Sequence, residues 1–183
     1  MLTACLLIAF GVLCRLMASP MVWNVPYMAV PLGAIALYAA ARLPRLWAFA
    51  VPVAVLGLSD LVIDPHHAYA FWALTRGATY ATFLLVVAAG RLAPARAGLP
   101  ARLGMAVGAA TFFFLVSNFL VWLTNGGYGH PQTLAGLMST YADGIPFYRR
   151  ELVADLIGVA VLFGVVDALV DRVRAAEPAK ITE

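Results

Sequence analysis

The side chains of this chain able to hold or move charge gather at a few points along otherwise apolar runs. Asp60 closes one run and Arg76 opens the next. Asn118 lies inside another, and Arg149, Arg150, Glu151 and Asp155 open the last. Glu151 and Asp155 are four residues apart, so one helical face carries both. Ionisable groups within apolar segments are costly, and occur paired or along a solute or ion path. Two chemistries fit this arrangement. One is an ion-pair network that pins helices together. The other is an outward-opening polar cavity that binds a solute. Trp72, Tyr80, Trp122, Tyr128, Tyr141 and Tyr148 sit at the same ends. They suit a cavity lining or an interfacial aromatic belt. The Asn118 amide needs a partner wherever it is buried.

Other chemistries find less support. His66-His67 follows Asp64-Pro65, and one of these imidazoles could reach a metal from a loop, though a solvated histidine is the simpler reading. An enzyme would need a catalytic pair such as His130 with Asp143. The sequence contains no HExxH, GxSxG, Walker A or GxGxxG pattern, which sets aside metalloprotease, ATPase and dehydrogenase classes. Cys5 and Cys14 have no zinc or disulfide spacing. The expectation is no catalytic residue, no metal and no cofactor.

The elements that must position these groups follow from composition. The chain is 63% hydrophobic and 11% charged, with mean hydropathy +0.90. Soluble domains are about half apolar and a quarter charged, so an integral membrane protein is expected. A hydrocarbon core of ~30 Å takes ~20 apolar residues as helix. Six segments qualify, near 2–17, 27–43, 47–63, 70–90, 103–123 and 147–170. Their unbroken apolar runs exclude a barrel of alternating strands. Residues 1–172 read as one transmembrane domain and 173–183 as a short cytoplasmic tail. With six spans, Arg42, Arg45, Arg91, Arg96, Arg102, Arg172, Arg174 and Lys180 fall on one side. Arg15, Arg76, Arg149 and Arg150 fall on or near the other. The positive-inside rule then puts both termini in the cytoplasm of a multi-pass cell-membrane protein. The pI near 9.1 thus reports topology and not nucleic-acid binding. Gly104-xxx-Gly108 and Ala36-xxx-Ala40 are candidate close-packing positions.

The longest irregular stretch, 125–151, reads NGGYGHPQTLAGLMSTYADGIPFYRRE. Pro131 can open a helix. Leu134, Leu137, Met138 and Tyr141 recur with an amphipathic helical period, and Asp143-Gly144 is a turn signal. The spacing predicts a short helix across the outer mouth, ended there, with Ile145-Pro146-Phe147 restarting the chain as the sixth span.

In these segments the chain resembles a bacterial family of small multi-pass membrane proteins of unknown function. The resemblance rests on Ser117-Asn118-Phe119, Val121-Trp122, Tyr128, Pro131-Gln132-Thr133, Gly136-Leu137, Tyr141, Ile145-Pro146-Phe147 and Ala154-Asp155-Leu156. In the first half it rests on Pro31-x-Gly33-Ala34-x-Ala36-Leu37-Tyr38 and Ser59-Asp60-Leu61. Met28-Ala29 stands where that family carries Asn-Phe, Ser117 replaces a threonine, and Ala154 replaces a glycine. The layout is also similar to the substrate-binding S components of energy-coupling-factor vitamin transporters. That likeness implies six helices and a pocket beneath the outer loops. Some solitary proteins of that kind take up cobalamin through a side chain on cobalt, a role His66 or His67 would have to fill here.

These readings converge on a membrane transporter or S-component-like binding protein for a small solute, a vitamin or cofactor precursor. Trp122, Tyr128, His130, Tyr141, Arg149 and Arg150 would line its mouth, and Asp60, Arg76, Asn118 and Asp155 its floor. Its partners would be the lipid bilayer, the solute and an energy-coupling membrane complex, with no nucleic acid. The rival expectation is a membrane enzyme or a structural subunit whose outer charges only pair with one another.

Overall fold

A computed structural model describes residues 1–19, 30–63, 70–94, 97–125 and 129–176. Every regular element among them is helical. In chain order these are α1 (Leu2–Ala18), α2 (Leu32–Arg42), α3 (Arg45–Ile63), α4 (Ala70–Leu92), α5 (Leu99–Leu123) and α6 (Leu134–Val159). A π-helical segment, Ala160–Val166, carries α6 directly into α7 (Asp167–Ala176). Arg45–Ile63, Leu99–Leu123 and the joined Leu134–Arg172 are each long and apolar enough to cross a membrane. Leu2–Ala18 and Leu32–Arg42 are apolar but shorter. These helices mark a membrane protein.

At the centre lies α2. Its Leu32–Ala40 segment is buried throughout, and Ala34, Ile35, Ala36 and Ala39 have no exposed surface. A helix that is apolar all round belongs in a core. Every other helix from α1 to α6 packs against it. Small residues set how closely they approach. A Cβ on Gly90 would lie 2.8 Å from that of Ala40, and one on Gly158 would lie 2.7 Å from that of Ala34. Ala40 thus stands in close helix contact, and Ala36 is fully buried. Gly104 and Gly108 do not, because a Cβ on either meets nothing within 4 Å.

The structure differs from the sequence reading most clearly in α6. No break occurs at Asp143-Gly144. One helix runs from Leu134 through Pro146 to Val159. It begins at Thr133, whose hydroxyl accepts the Gly136 N–H at 3.2 Å, the usual N-cap bond. Pro146 removes one backbone donor, but helices packed by neighbours in a membrane tolerate that loss. The apolar residues of that amphipathic period are not all buried. Leu134 is 75% and Met138 61% exposed, while Gly136, Thr140 and Gly144 are buried. Small residues let backbones meet, and large apolar ones face outward. α5 and α6 form the most extensive helix pair of the fold.

Candidate functional site

Asp60 organises one end of the bundle. Its carboxylate accepts from the Arg15 Nη2 at 2.6 Å and from the Tyr80 hydroxyl at 3.3 Å. Arg76 Nε lies 3.5 Å from its second oxygen. Arg15 Nε also donates to the hydroxyl of fully buried Ser59 at 2.6 Å. The pairing of Asp60 with Arg76 matches the sequence reading, and Arg15 joins as a third charge. The cluster ties α1, α3 and α4 together. Side-chain exposures of 15–35% leave each pair partly screened by solvent.

Asp155 does something else. It is 2% exposed and accepts from the Ala34 N–H at 3.0 Å. The Gly33 N–H also bonds it. The carboxylate thus caps the first turn of α2 from a residue 121 positions away in sequence. The positive end of that helix dipole favours the charge. Gly33 makes the approach possible. A Cβ there would lie 2.9 Å from the Asp155 Cγ and collide with an oxygen. One turn before Asp155, Glu151 turns toward the Val30 amide and the charge of Arg15.

Between α5 and α6 at this end is a cavity of about 190 Å³. Its polar lining is Ser117, Asn118, Tyr148 and Glu151, set among Phe113, Phe114 and Phe147. Asn118 donates to the Phe114 carbonyl of its own helix at 2.9 Å. Its amide sits where a Cβ on Gly144 would be, so Gly144 makes room for it. The Tyr148 hydroxyl lies 2.9 Å from that of Thr111, and its ring stacks on Phe114 at 4.9 Å between centroids. The arrangement offers a carboxylate, an amide and aromatic faces to a small molecule.

The residues expected at the mouth take other positions. Trp122 donates to the Pro131 carbonyl at 3.1 Å, and Gln132 to the Leu123 carbonyl at 2.7 Å. These bonds hold the start of α6 against the end of α5. His130 Nε2 lies 2.7 Å from Asp143 Oδ2, and neither residue lines the cavity. The Tyr141 hydroxyl donates to the Leu115 carbonyl at 3.0 Å. Arg149 and Arg150 are exposed on α6. His66, His67 and Tyr128 lie outside the described residues. Of the residues singled out from sequence, Asn118 lines the cavity. Tyr148, one of the aromatics that suit a cavity lining, also lines it, whereas Ser117 and Glu151 were not named as binding residues. The helical face shared by Glu151 and Asp155 was the signal for Glu151. Among the described residues no three His, Cys, Asp or Glu side chains converge as a metal site.

Compared with known families, residues 1–178 match the model of a family of unknown function, DUF6580. No curated protein and no solved structure matches the chain.

Proposed function

The chain belongs to DUF6580, a family of unknown function, and from its own geometry we propose that it binds a small solute and moves it across the cell membrane. In this reading it crosses the membrane six times, with both termini in the cytoplasm. The observation that carries the proposal is the α5–α6 cavity, with Glu151 and Asn118 set in an aromatic wall. Pockets for drug-sized ligands measure ~300–1,000 Å³. A volume of about 190 Å³ equals roughly six water volumes. It suits a small amine- or amide-bearing cofactor precursor and is far too small to enclose a cobalamin. A carboxylate beside aromatic faces favours a positively charged group. The layout resembling S components supports a binding role, with energy for uptake supplied by a partner complex. Solitary facilitated movement is the alternative mechanism.

One specific observation favours a second reading. Arg15, Arg76 and Tyr80 all converge on Asp60 and form a clasp, as a structural subunit would need. A panel of small amine and amide cofactor precursors, added to the purified protein in a thermal-shift assay, separates the two. A native-state ligand raises the melting temperature. The expected result is a rise with at least one compound, lost in Glu151→Gln and reduced in Asn118→Leu. If no compound shifts the wild-type protein, or Glu151→Gln responds equally, the solute proposal fails and the clasp reading stands.

A further inference from the structure

At the other end of the bundle α2, α4 and α5 build a site of different character. A pocket of about 440 Å³ is lined by Arg42, Arg91 and Arg102. Arg42 bonds the Asp167 carboxylate, which also accepts from the Tyr38 hydroxyl at 2.9 Å. Arg91 donates from Nη1 to the Ala40 and Leu43 carbonyls at 3.3 and 3.2 Å. Arg102 is 8% exposed. It donates from Nε to the Ala97 carbonyl at 3.0 Å, and its guanidinium lies 4.1 Å above the Phe163 ring. Among the described residues no carboxylate bonds Arg91 or Arg102, and Arg102 has no bond from either Nη. A guanidinium carries five donors in a fork that fits phosphate. Nine-tenths buried and charged, the Arg102 side chain has donors left over that line a pocket.

Next to it lies an apolar groove of about 590 Å³, lined by Leu37, Ala89, Leu92, Met105 and Phe112 among others. Pocket and groove occupy successive turns of the same helices. Leu37 is one turn from Ala40, Leu92 adjoins Arg91, and Met105 is one turn from Arg102. From Met105 to Phe112 the groove runs ~10 Å along α5, about a third of a ~30 Å hydrocarbon core. Gly108 forms part of its wall and opens it, since a Cβ there touches nothing. A cationic pocket continuous with an apolar channel complements a molecule with an anionic head and a hydrocarbon tail.

We infer that this end holds one anionic phospholipid, its phosphate on Arg91 and Arg102 and one acyl chain along the α4–α5 groove. Basic pockets between membrane helices recognise acidic head groups through these same charge-assisted bonds. Arg42, already paired with Asp167, supplies field more than contact. The site stands apart from the α5–α6 cavity, so neither proposal depends on the other.

The test uses full-length protein in detergent micelles, titrated separately with dioleoyl-phosphatidylglycerol, dioleoyl-phosphatidylcholine and inorganic phosphate. Melting temperature is the readout. At a hundred times its Kd the phosphatidylglycerol should raise Tm by roughly 5–10 °C, with little response to the other two. Arg91→Gln and Arg102→Gln should each weaken the phosphatidylglycerol response at least tenfold, while exposed Arg45→Gln, outside the pocket, keeps it. Gly108→Phe fills the groove from a position with free space and should also abolish the response. Equal shifts with phosphatidylcholine overturn the proposal, because the arginines would then contribute nothing. Equal shifts with inorganic phosphate overturn it as well, because the groove would be irrelevant. Retention of the response in Arg91→Gln and Gly108→Phe, both at tolerant positions, would do the same even if Arg102→Gln fails to fold.

Discussion

Replacing Gly33 by alanine should destabilise this protein only while Asp155 is present. The new methyl would lie 2.9 Å from the Asp155 Cγ and overlap an oxygen. Overpacking of this kind costs about 1–3 kcal/mol. Against it stands a gain of ~0.4–1 kcal/mol, because alanine has less backbone freedom to lose than glycine. The net expectation is a loss of about 1–2 kcal/mol. For a chain of this length each kcal/mol moves Tm by ~2–4 °C, so Gly33→Ala should melt roughly 2–8 °C below wild type. In an Asp155→Ala background the collision is gone and only the alanine gain remains. That single protein is itself weakened, since orphaned amides at the start of α2 cost ~1–3 kcal/mol each. Adding Gly33→Ala to it should raise Tm by ~1–4 °C. The double-mutant cycle then shows a coupling of about 1.5–3 kcal/mol, within the range for contacting residues. Thermal unfolding in one detergent, followed by circular dichroism, measures all four proteins. Asp155→Ser, which keeps an acceptor, replaces Asp155→Ala if the latter does not accumulate. If Gly33→Ala lowers Tm equally in both backgrounds, the carboxylate cap is not why glycine stands there.

Two further outcomes are expected. Asp60→Asn should cost more than Arg76→Gln in the same melting assay, because it leaves Arg15 and Arg76 facing each other. Arg76→Gln should stay within ~1 kcal/mol of wild type, as a partly exposed pair would, and the reverse order would contradict the cluster. Gly90→Ala should lose about 1–3 kcal/mol through contact with Ala40, whereas Gly108→Ala should be neutral or gain up to ~1 kcal/mol. Equal losses at both glycines would mean that α5 packs against something there.

The charges at the Asp60 end were legible in sequence for a simple reason. Ionisable groups in apolar helices must find partners, and Arg76 and Asp60 lie at matching depths on consecutive helices. The partner of Asp155 was not legible, because it is a backbone amide and leaves no mark on composition. The amphipathic period of Leu134, Met138 and Tyr141 did not reveal how α6 packs, because it follows a rule written for water, where large apolar residues turn inward. In an apolar surrounding that preference vanishes, and Gly136, Thr140 and Gly144 decide the contact instead. Continuity through Gly144 and Pro146 was hidden for a related reason. Both residues signal turns in isolation, but α5 supports the helix they interrupt. Asn118 was identified as needing a partner, and it found one a single turn back in its own helix.

The bond from Ala34 to Asp155 also bears on how the protein is made. A ribosome adding ~5–20 residues per second takes roughly 6–24 s to pass from one residue to the other, 121 positions later. Throughout that interval α2, the helix every other helix packs on, exists without the acceptor for its first turn. The early helices therefore wait in the membrane as an unfinished set. A nascent chain halted before residue 155 should remain open to proteases and quality-control factors that ignore the completed protein. A helix from the last third of the chain, α6, is the one that locks the first half in place.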